Sequence, residues 1–99
     1  MRIEFDPEKS EKNVRERGLS FAAAARFDFD TATFKEDRRR DYGERRIVAI
    51  GYLDGRLHFL CFKPLGRLHI RVISFRKANM KERKRYEKEQ TETYQTADR

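Results

Sequence analysis

Three apolar runs crowd the second half of this chain, and the short links between them constrain the fold more than any other feature. The runs are Ile47-Val48-Ala49-Ile50, Leu57-His58-Phe59-Leu60-Cys61-Phe62 and Ile70-Arg71-Val72-Ile73. Leu53-Asp54-Gly55-Arg56 joins the first two and carries an Asp-Gly turn signal, and Pro64-Leu65-Gly66 marks a second turn. A parallel neighbour needs a crossover of about a dozen residues or more, which these links cannot supply. The spacing therefore predicts strands over residues 45–52, 57–63 and 68–75, arranged as an antiparallel meander. Apolar residues are nearly continuous within each run, so both faces of the sheet should be partly covered.

The rest of the chain reads around that meander. Arg2-Ile3-Glu4-Phe5 alternates like a short strand. Asp6 suits an N-cap and Pro7 a first helical position, so a helix should run to about Arg17, where Gly18 stops it. That helix is almost wholly polar, with Val14 as its one aliphatic residue, and can pack only a narrow stripe at the edge of the fold. Ser20 caps a second helix over residues 21–27, rich in alanine. Residues 31–34 read as a short edge strand and 35–44 as a charged loop. Asn79 caps a last helix through Lys88, and the polar tail 89–99 either frays or prolongs it. The order is β-α-α-β-β-β-β-α, a single α+β domain over residues 1–88.

Charged residues make up 41% and hydrophobic ones 37%, so the core must be thin; eight Phe and four Tyr supply the bulk to fold nonetheless. No run approaches the roughly 18 apolar residues of a membrane span, and no signal-peptide pattern opens the chain. The single cysteine, Cys61, lies in an apolar run and reads as a buried hydrophobe. A cytoplasmic location is expected. The two histidines sit on separate strands, no phosphate-cradling glycine loop exists, and no Gly-x-Ser-x-Gly elbow occurs, so neither a metal nor a cofactor is expected.

Charge gives the first functional clue. Residues 63–88 hold ten Lys/Arg against two Glu, whereas residues 1–62 are almost balanced. A basic third of so small a domain attracts phosphate backbones or acidic partner segments, although a solvated cationic surface is the plainer alternative. RNA can be cut without metal because its own 2′-hydroxyl is the nucleophile. The protein then has only to orient the phosphate, stabilise added negative charge and move protons. Alternation places His69 and Arg71 on one strand face, Arg76 and Lys77 emerge at the strand's end, and Arg83 and Tyr86 lie three apart on the next helix. Arg71, Arg76, His69 and Tyr86 are the candidate catalytic residues, with Lys77, Arg83, Lys63 and Arg67 as candidate RNA-binding residues. His69 reads equally as an ordinary strand histidine, Tyr86 as a packing residue, and Glu82 as a surface partner for nearby arginines.

Four ordered blocks carry a resemblance. They are Phe5-Asp6-Pro7-x-Lys9-x-x-x-Asn13; Arg17-Gly18-Leu19-Ser20-Phe21-x-x-Ala24; Glu44-x-Arg46-x-x-x-Ile50-Gly51; and Ile70-Arg71-Val72-Ile73-Ser74-x-Arg76-Lys77-Ala78-Asn79-x-x-Glu82-Arg83-x-x-Tyr86. In order and spacing they resemble the BrnT toxins of type II toxin–antitoxin systems, over residues 3–88.

The resemblance implies a RelE/ParE-like fold, with two N-terminal helices and one C-terminal helix against a twisted antiparallel sheet. It implies a ribonuclease that inhibits translation and growth, neutralised by a BrnA-like ribbon-helix-helix antitoxin. Operator DNA would be reached indirectly through that antitoxin, and a toxin dimer within the complex is admitted. Arg71, Arg76 and Lys77 fall in the motif nearest the family's active surface, and Glu82, Arg83 and Tyr86 also match. Two positions depart from the family's habit: Phe5 stands where it often has Trp, and Arg17 where it often has His. An inactive toxin that only binds its antitoxin, or a non-catalytic nucleic-acid-binding corepressor, is the alternative.

Overall fold

The computed structural model describes residues 1–97. Its elements are β1 (Arg2–Glu4), α1 (Pro7–Arg17), a 3₁₀ helix (Phe21–Arg26), β2 (Thr33–Glu36), β3 (Ile47–Leu53), β4 (Arg56–Gly66), β5 (His69–Lys77) and α2 (Met80–Ala97). The strands form one sheet in the order β1-β5-β4-β3-β2. The α+β class and the element order match the sequence reading, and the polar tail prolongs α2 as far as Ala97. Asp98 and Arg99, the end of that tail, lie outside the described residues.

Three local expectations are corrected. The sheet is mixed, because β1 pairs parallel to β5, with Ile3 beside Ile70 and Glu4 beside Arg71. A short alternating strand carries no sign of its direction; β1 joins the edge that the meander leaves open, and α1 carries the chain away from it. The β4–β5 turn falls at Arg67-Leu68, not at Pro64-Leu65-Gly66, and Leu68 adopts φ 55° there. Pro64 stays in β4 beside a register shift between Pro64 and Gly66, the irregular setting in which a strand tolerates a residue without an N–H. The second helix is 3₁₀. Its period of three residues stacks Phe21, Ala24 and Phe27, all buried, along one side. The Asp-Gly turn forms as expected, with both central residues at positive φ, 49° at Asp54 and 81° at Gly55.

A second irregularity sets the faces of the sheet. Cys61 pairs with Ser74 but Phe62 pairs with Val72, so Ile73 bulges from the ladder. Side chains alternate strictly along a regular strand, which would put Val72 and Phe75 on opposite faces. With the bulge, both enter the core beside Leu60, Phe62, Ala49 and Phe27. Gly51 belongs to the same face. A Cβ there would lie 2.7 Å from Phe27 Cζ and 2.8 Å from Ala32 Cβ, so only glycine lets the aromatic ring approach this closely.

Polar bonds dock α1 where apolar surface is scarce. Val14 is exposed, and the buried residues of the helix are Ser10 and Asn13. Asn13 Nδ2 donates to Leu19 O at 2.8 Å and to Phe75 O at 2.9 Å, tying the helix to the turn after it and to β5. Ser10 Oγ accepts from the Phe21 amide at 3.0 Å.

On the other face, α2 begins with a reciprocal cap. Asn79 Oδ1 accepts from the Glu82 amide and Glu82 Oε1 from the Asn79 amide. Tyr86 anchors the helix, buried edge-on against Tyr52 at 5.7 Å, with its hydroxyl donating to Thr31 O at 2.9 Å. The charged loop between β2 and β3 is organised by Asp37. Its carboxylate accepts from the Arg39 guanidinium at 2.8 Å and the Tyr42 hydroxyl at 3.1 Å, and the Arg46 guanidinium lies 4.0 Å over the Tyr42 ring. Arg39 first, with Tyr42 assisting against the opposing effect of burial, holds the Asp37 carboxyl far below the usual carboxylate range.

Three stability predictions follow from these contacts. Asn13→Ala strands two carbonyls and should cost roughly 2–4 kcal/mol, read from urea unfolding; a loss below about 0.5 kcal/mol would show that the bonds do not hold α1. Gly51→Ala overpacks the Phe27 pocket and should cost about 1–3 kcal/mol in the same assay. Asp37 is depressed in the folded chain, so its contribution is present above the unfolded carboxylate pKa of about 4 and fades as pH falls below it. The urea midpoint should therefore drop on acidification below about pH 4, and Asp37→Asn should flatten that acid limb. An unchanged acid limb in the variant would place the charge dependence elsewhere.

Candidate nucleic-acid interface

The bulge at Ile73 also decides where the basic residues point. Arg71 and Arg76 are five positions apart, and unbroken alternation would send them to opposite faces. Arg71 pairs across the sheet with Lys63, and Arg76 with Phe59, two β4 residues an even number apart. Both arginines therefore share the face on which α2 packs. About 15 Å of strand separates them, so they cannot grip a single phosphate together.

The six expected cluster members accordingly fall in three places. The first lies at the start of β5, where Arg71 is exposed and makes no side-chain hydrogen bond or ion pair among the described residues. His69 is half-buried beside it, its Nε2 3.1 Å from Glu4 Oε1 but not aligned for a hydrogen bond. Lys63 lies 3.6 Å from Glu44, and Arg67 is exposed in the adjoining turn. The second place is α2, where Arg83 is exposed and Tyr86 is committed to Thr31 O. Burial first, then the neighbouring Tyr52 and Asp28, push the Tyr86 hydroxyl above its ordinary range despite the bond to Thr31. It reads as a packing residue in this geometry.

The third place is the end of β5. Arg76 makes a bidentate pair with Glu82, at 2.8 and 2.9 Å, and its guanidinium carbon lies 4.0 Å over the Phe59 ring. Burial would raise the Glu82 carboxyl, but Arg76 and the Asn79 amide outweigh it and hold the acid below the ordinary glutamate range. Arg76 is thereby fixed in direction by its cap-forming partner.

Beside it opens a cleft of about 430 Å³ lined by Arg17, Gly18, Leu19, His58, Arg76 and Lys77. Arg17 is delivered by the end of α1; β1 and β5 run the same way, so α1 ends beside the end of β5. Arg17 Nη1 lies 3.5 Å from Asn13 Oδ1, the residue that fastens the helix to Phe75. Arg17 and Lys77 thus bring two cations to one concavity, an arrangement suited to a phosphate, while Arg76 borders it from the α2 face, where Glu82 and Phe59 hold its guanidinium.

His58 is a member of this cleft that the sequence did not single out, and Arg17 stood out there only as a departure from the family's habit. His58 is opposite Lys77 in the ladder, but that register depends on the bulge and is not readable from spacing. Arg17 could have been found from the Gly18 stop signal, which fixes it at the exposed end of a helix. Cys61 is buried, and burial first, then Asp37, push its thiol above the ordinary range. Among the described residues no group of three His, Cys, Asp or Glu side chains gathers as a metal site, and no helix is long and apolar enough to cross a membrane.

Comparison with known proteins gives this surface its context. No curated protein matches the chain. A solved structure that it resembles is the crystal structure of the Brucella abortus ribonuclease toxin BrnT, at 30% identity and a TM-score of 0.63, covering 81% of this chain and 99% of that one. The family model for the BrnT ribonuclease toxin of type II toxin–antitoxin systems matches residues 5–82. With that match spanning most of its length, the chain belongs to the BrnT family of ribonuclease toxins.

Proposed function

We propose that this chain is a metal-independent endoribonuclease that cuts RNA at the cleft beside the end of β5. The observation that carries the reading is the meeting there of Arg17 from α1 and Lys77 from β5, with Arg76 bordering the cleft from the α2 face. Such a constellation can orient a phosphate and stabilise the charge that builds as the 2′-hydroxyl adds to it. Arg71, with Lys63 and Arg67 near it, is free to hold the RNA backbone further along β5 on the α2 face. Arg83 adds positive potential from α2. His69 and Tyr86 stand away from the cleft, about 25 Å along β5 and beneath α2 respectively.

The biological setting belongs to the same reading. A toxin of this family implies an antitoxin partner; we take it to be a BrnA-like ribbon-helix-helix protein, through which operator DNA is reached, with a toxin dimer in the complex. The target is cytoplasmic RNA, and its loss stops translation and growth. The mixed sheet, with α1 and the 3₁₀ helix on one side and α2 on the other, supports a RelE/ParE-like ancestry.

One observation favours a second reading, a toxin that binds its antitoxin without cutting RNA: Arg76 is already engaged by Glu82. Activity separates the two. The antitoxin-free chain in EDTA should degrade RNA to fragments with 2′,3′-cyclic phosphate ends and leave DNA of the same sequence intact. Arg76→Ala should slow cleavage by about 10²–10³-fold, and Arg71→Ala should chiefly weaken RNA binding. Cleavage that needs magnesium, or that ignores the sugar, would overturn the mechanism, and a folded but inactive wild-type chain would establish the second reading.

A further inference from the structure

We propose that His58 is the catalytic residue that takes the proton from the RNA 2′-hydroxyl, the assignment resting on the ribonuclease reading of the cleft. The imidazole is held in one tautomer by the main chain of its own strand. Its Nδ1 lies 2.8 Å from Arg56 O, and a carbonyl oxygen can only accept, so Nδ1 carries the hydrogen. In the neutral ring Nε2 is then a bare acceptor, the form a general base requires. Nε2 makes no hydrogen bond to any described residue, whereas the other histidine of the chain has its Nε2 against Glu4. The ring is also held in place: its residue is 5% exposed, and its centroid lies 5.7 Å from that of Phe75 in the core. A buried imidazole with an unused nitrogen in a cleft that Arg17 and Lys77 border is an arrangement that a packing histidine does not need.

Arg17 and Lys77 supply what one imidazole lacks, a field for the phosphate on which the chemistry occurs, with Arg76 at the cleft's border on the α2 face. In the step proposed, the O2′–P bond forms and the P–O5′ bond breaks. The hydroxyl proton passes to His58 Nε2, which returns it through water to the departing 5′-oxygen. The products are a 2′,3′-cyclic phosphate and a 5′-hydroxyl, and the histidine regains its starting form. No metal, oxidant or further reactant enters the balance.

The test compares wild type with His58→Asn and His58→Gln. Asn retains a donor near the Nδ1 position for Arg56 O, and Gln a polar end near Nε2; neither is a base. Single-turnover cleavage of a short RNA should slow by about 10²–10⁴-fold in both. Affinity for the same strand made as DNA, which cannot be cut, should stay within a few-fold of wild type. Cleavage by a folded variant at near wild-type rate would overturn the assignment while leaving the ribonuclease reading intact. A wild-type chain that cuts nothing would remove that reading and the assignment with it. If neither variant folds, nitrogen NMR of the wild-type ring decides. Nδ1 should be protonated and Nε2 bare, with the Nε2 signal moving when the DNA strand is added; an Nε2 that carries the proton, or ignores the strand, would sink the proposal.

Discussion

The ladder between β4 and β5 slips by one residue at Ile73, and both faces of the molecule depend on that slip. On one face it lets Val72 and Phe75 enter the core together, with Phe75 against Phe27 and Leu60 beneath it. On the other it brings Arg71 and Arg76 to the same side, where regular alternation would have separated them. It also aligns His58 with Lys77, two residues of the cleft, and Phe59 with Arg76 on the opposite face. A sheet without the slip would have to break either its core or its basic surface.

The molecule compensates for a thin core with directed polar bonds. Asn13 does for α1 what a row of leucines does in a richer helix, and it does so by satisfying two particular carbonyls, so the helix is fixed in place as well as held. Glu82 serves α2 similarly, closing its first turn and gripping an arginine that lies over the Phe59 ring. Both devices end at the same region. The Asn13 bond fastens the helix that delivers Arg17, and the Glu82 pair directs Arg76. Of the two helices, α1 itself borders the cleft, and α2 reaches it only through its hold on Arg76.

Charge on this surface is divided rather than pooled. Arg71 is unengaged among the described residues, while Arg76 is neutralised in part by Glu82. A surface built only to attract polyanions would have no use for such a pairing. On the ribonuclease reading proposed above, one guanidinium held rigidly and another left free would suit a site in which one position must be exact and the rest of the RNA only tracked.

Much of this was legible in the amino-acid sequence, because it rests on local rules. Asp54-Gly55 dictates its turn through positive φ, Asp6-Pro7 and Gly18 bound α1 through cap chemistry, and Asn79 with Glu82 starts α2 through a reciprocal cap. The apolar runs fixed the strands, and the four motif blocks pointed to the family. Tertiary structure alone decided the direction of β1, the turn at Arg67-Leu68, the face of Arg76 and the company of His58. Each is a matter of register between segments distant in sequence, and register follows from which side chains fit together in the core, a quantity no local pattern encodes.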